Sequence, residues 1–217
     1  MSPHSHSTKI PAKTTGRLIR WASYYDILVN TLTLGQIKRL RKLTVQLAQI
    51  KPGDSVLDVG CGPGSVTIPA KMAAGAKGQV AGIDPSPEMI SVARRNAAHK
   101  DLEIDFRVGV IEALPFPEAS IDVVTSSLMI HHLPEDLQVK GLAEVYRVLK
   151  PGGRLLIADF MRPNTSLLNR FFTALSLHHG LKFGVEDLPA LLKVARFSQT
   201  NALEERFLLI GFVRAIK

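Results

Sequence analysis

The sequence predicts an α/β fold: an open, mostly parallel sheet with helices on both faces. Short apolar, β-branched runs alternate with segments of helical periodicity, the pattern of strand, crossover helix and next strand. The first apolar run leads straight into the glycine cluster Gly60-Cys61-Gly62-Pro63-Gly64, a loop type that follows the first strand of such sheets. A chain of 217 residues, 46% of them apolar, suffices for one domain with a real core and a small appended segment.

The elements follow in order. From Arg17 to Ile50 the apolar residues fall at helical spacing, with Ile37, Leu40, Leu43, Leu47 and Ile50 in one stripe and Gly35 interrupting, so two helices joined near Thr33 to Gly35 are expected. Residues 1–50 are read as an N-terminal helical lid segment, and 51–217 as one globular unit. Pro52-Gly53-Asp54 is a turn, and Ser55 to Val59 a strand entering the glycine loop. Thr67 to Ala76 reads as a helix and Gln79 to Ile83 as a strand ending at Asp84. Ser86 or Pro87 then opens a helix through about Ala98, with the Ser, Pro and Glu that favour a helix start. Strands are expected at Ile104 to Val108, Ile121 to Ser126 and Arg154 to Asp159. Leu137 to Leu149 is a helix closed by a turn at Lys150-Pro151-Gly152-Gly153. Arg162 to about Gln199 reads as irregular helix and Phe207 to Ala215 as a last strand.

Composition removes several classes. No apolar run approaches the ~18 residues of a membrane span, residues 1–15 lack the apolar stretch of a secretory signal, and a lone Cys rules out a disulfide scaffold; together these suggest a cytoplasmic protein. The net charge of +8 is confined to the first 51 residues, which hold nine Lys or Arg and one acid, Asp26. The cluster Lys38-Arg39-Leu40-Arg41-Lys42 beside an apolar stripe could lie on an anionic membrane, or could be a solvated helix face. No metal is expected: His4, His6, His178 and His179 have no Cys or acid at ligand spacing.

The glycine loop, with Asp84 twenty residues beyond Gly64 at the end of the next strand, is a nucleotide-binding arrangement, against the plainer reading of a tight turn. Its glycines let backbone amides approach a ligand, and the Asp84 carboxylate suits a ribose diol. Asp58, on the strand before the loop, would repel a pyrophosphate. S-adenosyl-L-methionine has no phosphate and carries an ammonium and a sulfonium, so two acids suit it; Asp58 as a mere loop cap is the alternative.

Val56-Leu57-Asp58-Val59-Gly60-Cys61-Gly62-Pro63-Gly64, Gly82-Ile83-Asp84-Pro85-Ser86, Glu112-Ala113-Leu114-Pro115-Phe116 and Leu149-Lys150-Pro151-Gly152-Gly153 resemble class I methyltransferases. Within them the pattern, including Tyr25-Asp26, is most similar to the ubiquinone and menaquinone C-methyltransferase-like group. The resemblance implies a Rossmann-like, seven-stranded sheet and S-adenosyl-L-methionine as cofactor. It implies that Asp58, Gly60, Gly62 and Gly64 hold the methionine part, with Cys61 in the same loop, and Asp84 the ribose. Pro85 and Met89 would flank the adenine, backbone amides of Val110 or Ile111 would reach its ring, and Ser126 would border the same site. Two departures stand out. Val110 replaces an Asp that commonly binds the adenine amino group, and His131-His132 replaces the Arg-Asn pair with which the quinone enzymes help ionise their acceptor. His131, His132 and Tyr25 are the catalytic candidates, an imidazole suiting a base near neutral pH; loop anchoring and lid packing are the alternatives.

The expected function is methyl transfer to a small, lipophilic or aromatic acceptor. A methyltransferase for membrane lipids or other small metabolites remains open, as does a non-catalytic cofactor-binding protein. A nicotinamide oxidoreductase is disfavoured by Asp58. No nucleic-acid partner is expected, since neither an Asn- or Asp-Pro-Pro-aromatic motif nor a Pro-Cys nucleophile is present.

Overall fold

The structure, a computed structural model, describes residues 36–162 and 183–217. The first of the two expected N-terminal helices, Tyr25 with it, and most of the stretch from Arg162 to Gln199 lie outside the described residues.

Seven strands form one sheet in the order β3-β2-β1-β4-β5-β7-β6. They are β1 (Ser55–Val59), β2 (Gln79–Asp84), β3 (Asp105–Val108), β4 (Ile121–Ser127), β5 (Leu149–Phe160), β6 (Gln199–Phe207) and β7 (Ile210–Ile216). The first five pair in parallel and β7 runs antiparallel to both β5 and β6. The helices are α1 (Ile37–Leu47), α2 (Thr67–Ala74), α3 (Pro87–Ala98), α4 (Glu135–Val148) and α5 (Leu188–Val194).

Residue alternation along β1 divides the core between the two faces. Val56 joins a cluster with Leu40 of α1, Ala70 and Ala74 of α2 and Phe212 of β7, while Leu57 and Val59 join Leu142, Val145, Leu188 and Leu192 of α4 and α5. Asp58, two residues from Val56, therefore faces the α1 and α2 side. α1 binds by one stripe: Leu40 and Thr44 are buried, and Thr44 Oγ1 donates to the Leu40 carbonyl at 2.9 Å.

Three boundaries differ from expectation. The turn expected at residues 150–153 lies inside β5; the register jumps from Ile121 opposite Leu149 to Val123 opposite Arg154, so Pro-Gly-Gly is an irregularity within a pairing strand, with Gly152 at φ +73°. β6 has no counterpart in the sequence reading, because an edge strand with most of its residues exposed lacks the alternation of a half-buried one. Phe207 closes β6 and does not open the last strand: it pairs with Ile210 across a hairpin whose Leu208 sits at φ +55°.

Candidate cofactor and acceptor site

Neighbours of β1 lie on opposite sides in sequence order, β2 to one side and β4 to the other, so the crevice beyond the carboxyl ends of β1 and β4 is where such sheets take ligands. The glycine loop opens into it. Gly60, Gly62 and Gly64 have φ of +71°, +52° and +83°, a region that favours glycine. A Cβ at Gly60 would fall on the Met129 side chain, whereas one at Gly62 would meet nothing within 4 Å. Gly60 is thus fixed by packing, and Gly62 leaves open space beside its backbone.

Asp84 ends β2 and is tied to that loop. Its Oδ2 accepts from Gly62 N and its Oδ1 from Ser86 N, both at 2.9 Å. Burial raises the Asp84 pKa, and the two amides oppose the shift. Ser86 caps α3 by accepting from Met89 N at 3.2 Å, which fixes the turn that carries Pro85.

Asp58 is 2% exposed and lies opposite Thr125 in the β1–β4 register. Thr67 Oγ1 donates to its Oδ2 at 2.6 Å and Thr125 Oγ1 to its Oδ1 at 2.8 Å. Burial raises its pKa to about 6 against those two hydrogen bonds, with the Asp84 charge adding to the rise. A cavity of about 40 Å³, room for a water-sized group, touches Asp58, Gly60 and Gly62 and is roofed by Leu40 and Arg41 of α1. Ser126 Oγ, one residue beyond Thr125, is buried with no hydrogen-bond partner among the described residues. A buried hydroxyl left so is worth about 1 to 3 kcal/mol to whatever satisfies it.

The remaining predicted positions divide. The Cys61 side chain packs with Ile68, Ala93 and Phe106, and burial raises its thiol pKa, so only its backbone faces the loop's open side. Met89 and Val110 are buried, and Ile111 fills the space that a Cβ on Gly141 of α4 would need. Tyr25 lies outside the described residues.

His131 sits in the single helical turn after β4, Ile130–His132. Its Nδ1 lies 2.6 Å from Asp159 Oδ1, and its backbone N–H donates to Asp159 Oδ2 at 3.2 Å. Asp159, fully buried near the end of β5, also accepts from Phe160 N at 2.8 Å. A carboxylate accepting two backbone N–H groups makes the third contact an Nδ1–H···O bond, which in the neutral ring leaves the lone pair on Nε2. The rings of His132 and Phe160 hold His131 from two sides, with centroids at 3.9 and 5.0 Å. The sequence reading passed over Asp159, although an acid ending an apolar strand is the signal that singled out Asp84. It also passed over Thr67 and Thr125, whose roles depend on strand pairing.

A carboxylate at the end of β2, glycine amides beside open space and a second buried carboxylate form a candidate nucleoside site; Ser126, opposite Val59, points to the other face of the sheet from Asp58. The two carboxylates and the glycine loop fit S-adenosylmethionine. The family profile described as a methyltransferase domain matches residues 56–153. A 2-phytyl-1,4-naphtoquinone methyltransferase of Synechococcus elongatus is 35% identical over 167 residues, 76% of this chain and 71% of the relative. A ubiquinone/menaquinone biosynthesis C-methyltransferase, UbiE, of a Marinomonas species is 35% identical over 154 residues, 70% of this chain and 60% of that relative, so the chain spans rather less than two thirds of its length. The crystal structure of a SAM-dependent methyltransferase from Aquifex aeolicus shares the fold with a TM-score of 0.70 and 23% identity, over 90% of this chain and 97% of the other. The chain belongs to the class I S-adenosylmethionine-dependent methyltransferases, and the family implies S-adenosyl-L-methionine as cofactor.

Proposed function

We propose that the protein transfers the methyl group of S-adenosylmethionine to a small lipophilic or aromatic acceptor, with His131 as the base. The observation that carries the base assignment is the His131–Asp159 pair at the carboxyl edge of the sheet. Two relatives carry names of quinone methyltransferases, which supports a lipophilic, ring-bearing acceptor, while His131-His132 favours an acceptor deprotonated by an imidazole.

When bound, the cofactor supplies a methyl group on a positively charged sulfur that is already a good leaving group. The chain's task is then to hold and orient. Asp84 is suited to accept both ribose hydroxyls while Gly62 and Ser86 amides keep its oxygens in place. Asp58, when ionised, offers the amino-acid end a carboxylate in a pocket of single-water size. Asp159 keeps the His131 proton on Nδ1, so that Nε2 can take the acceptor's proton as the new bond forms. Alignment and exclusion of water contribute the rest of the rate.

Residues 1–50 are read as the lid of this site, with Tyr25 and His132 as further candidates to border the acceptor. The basic face of α1 is read as contacting an anionic membrane surface, from which a lipophilic acceptor could enter. No helix among the described residues is long and apolar enough to cross a membrane. The test is direct: incubate the protein with methyl-labelled cofactor and a cell extract, separate lipid from aqueous fractions, and follow the label. Label in a low-mass lipid-phase compound, lost in His131→Ala, is the expected outcome. Label confined to the aqueous phase contradicts the acceptor class, and no label in either contradicts the enzyme reading.

A further inference from the structure

On the outer side of the glycine loop, away from Asp84, α1, α2 and the end of α3 enclose a groove of about 650 Å³. That is within the ~300 to 1,000 Å³ of sites that hold small organic ligands. Its composition is one-sided. Lys38 and Lys42 line it from α1, one helical turn apart, and His99 and Lys100 face them from the end of α3. Among the described residues no Asp or Glu lines it, and none of these three lysines is in an ion pair. The floor is apolar, built from Ile68 and Met72 of α2, and Met72 is 66% exposed at its edge. Three lysines held around one hollow repel one another unless an anion joins them, and an exposed Met beside them gives that anion an apolar attachment.

We propose that this groove is a binding site for the headgroup of an anionic phospholipid, its phosphate among Lys38, Lys42 and Lys100 and its glycerol and first methylenes over Ile68 and Met72. Charge complementarity calls for the phosphate, and the apolar floor with its exposed Met72 calls for the lipid. The inference rests on the membrane-contact reading of α1 and makes it more specific. A helix lying on a membrane by general attraction would need only the α1 cations, whereas a headgroup site also needs Lys100 and His99, which follow the end of α3 and are distant in sequence. Pro63, Gly64 and Ser65 form one wall, so an occupied groove would sit directly behind the loop that faces the cofactor.

The test is sedimentation of the full chain with vesicles of phosphatidylcholine, with and without phosphatidylglycerol, near 0.1 M salt. Two triple variants are compared. Lys38→Gln, Lys42→Gln and Lys100→Gln empties the groove of charge. Lys51→Gln, Lys77→Gln and Lys193→Gln removes the same charge from exposed positions outside it. An unchanged melting temperature in both checks that they are folded. The expected result is binding to phosphatidylglycerol vesicles that falls by about tenfold or more in the groove variant and by less than about threefold in the control. Soluble dihexanoyl phosphatidylglycerol should compete, and Lys100→Gln with His99→Gln should weaken that competition. No effect of the Lys100 and His99 pair would overturn the headgroup site while leaving membrane contact by α1 intact; equal losses in the two triple variants would overturn both, leaving attraction by net charge. Competition by inorganic phosphate as strong as by the soluble lipid would make this a free-phosphate site and overturn the lipid assignment. Parent protein with no preference for phosphatidylglycerol would overturn the inference and the membrane reading together, without touching methyl transfer.

Discussion

The two halves of the proposed site are held by different kinds of structure. Asp84 is positioned by backbone amides of Gly62 and Ser86 within one strand–loop–helix–strand–helix run. His131 is positioned by a side chain 28 residues away, Asp159, which the β4–β5 pairing brings beside it. Both depend on strand pairing, since Gly62 lies 22 residues from Asp84; the first is made of backbone amides, whereas the second rests on one buried carboxylate. The cofactor half should therefore yield only to changes of backbone freedom or to loss of its acids, whereas single isosteric changes should disable the acceptor half and leave cofactor affinity alone.

The largest effect is expected where backbone freedom and packing coincide. Gly60→Val would place a β-branched residue at φ +71° with its Cβ on Met129, and should destabilise the fold by about 3 kcal/mol or more in thermal unfolding, with loss of cofactor binding. Gly62→Ala, at positive φ but in open space, should cost only about 1 kcal/mol. Equal costs would show that Met129 does not constrain the loop.

Next comes the acceptor half. His131→Ala should lower turnover by about 100-fold with cofactor affinity unchanged. Asp159→Asn, which exchanges an acceptor for a donor facing Nδ1, should lower it by about tenfold or more and distort the pH–rate profile. If His131 serves only to anchor its loop, both variants should melt lower and any turnover loss should track the loss of fold.

The smallest effect concerns Asp58, whose pKa is raised to about 6 from 3.8. The folded state thus holds this proton more tightly than the unfolded chain does. Stability associated with it is present below pH 4 and is lost as pH rises from about 4 to about 6. Asp58→Asn should remove that slope from a series of urea titrations. A cationic ligand prefers the ionised carboxylate, so cofactor affinity in the parent should be about tenfold weaker at pH 5 than at pH 7, and flat in Asp58→Asn. A flat profile in the parent would place the ligand's positive charge elsewhere.

The same contrast accounts for what the sequence revealed. Strands β1, β2 and β4 and the glycine loop were legible because their apolar runs are buried and bounded by turn signals, and the Gly64 to Asp84 spacing is itself a geometric constraint. The β5 irregularity was misread as a plain turn because Pro-Gly-Gly has the same composition in both settings. β6 was missed because it is the polar edge. Thr67, Thr125 and Asp159 carry no signal of their own: each matters through a partner that only sheet pairing supplies.

If Asp84 and the glycine loop hold the ribose of S-adenosylmethionine, titration calorimetry of the parent and Asp84→Ala with that cofactor, and of the parent with NAD, should show it. Cofactor binding should weaken by about 1.5 to 3 kcal/mol in the variant, the scale of a hydrogen bond to a charged group, with no comparable NAD binding. Unchanged affinity in Asp84→Ala, or tight NAD binding by the parent, would contradict that role.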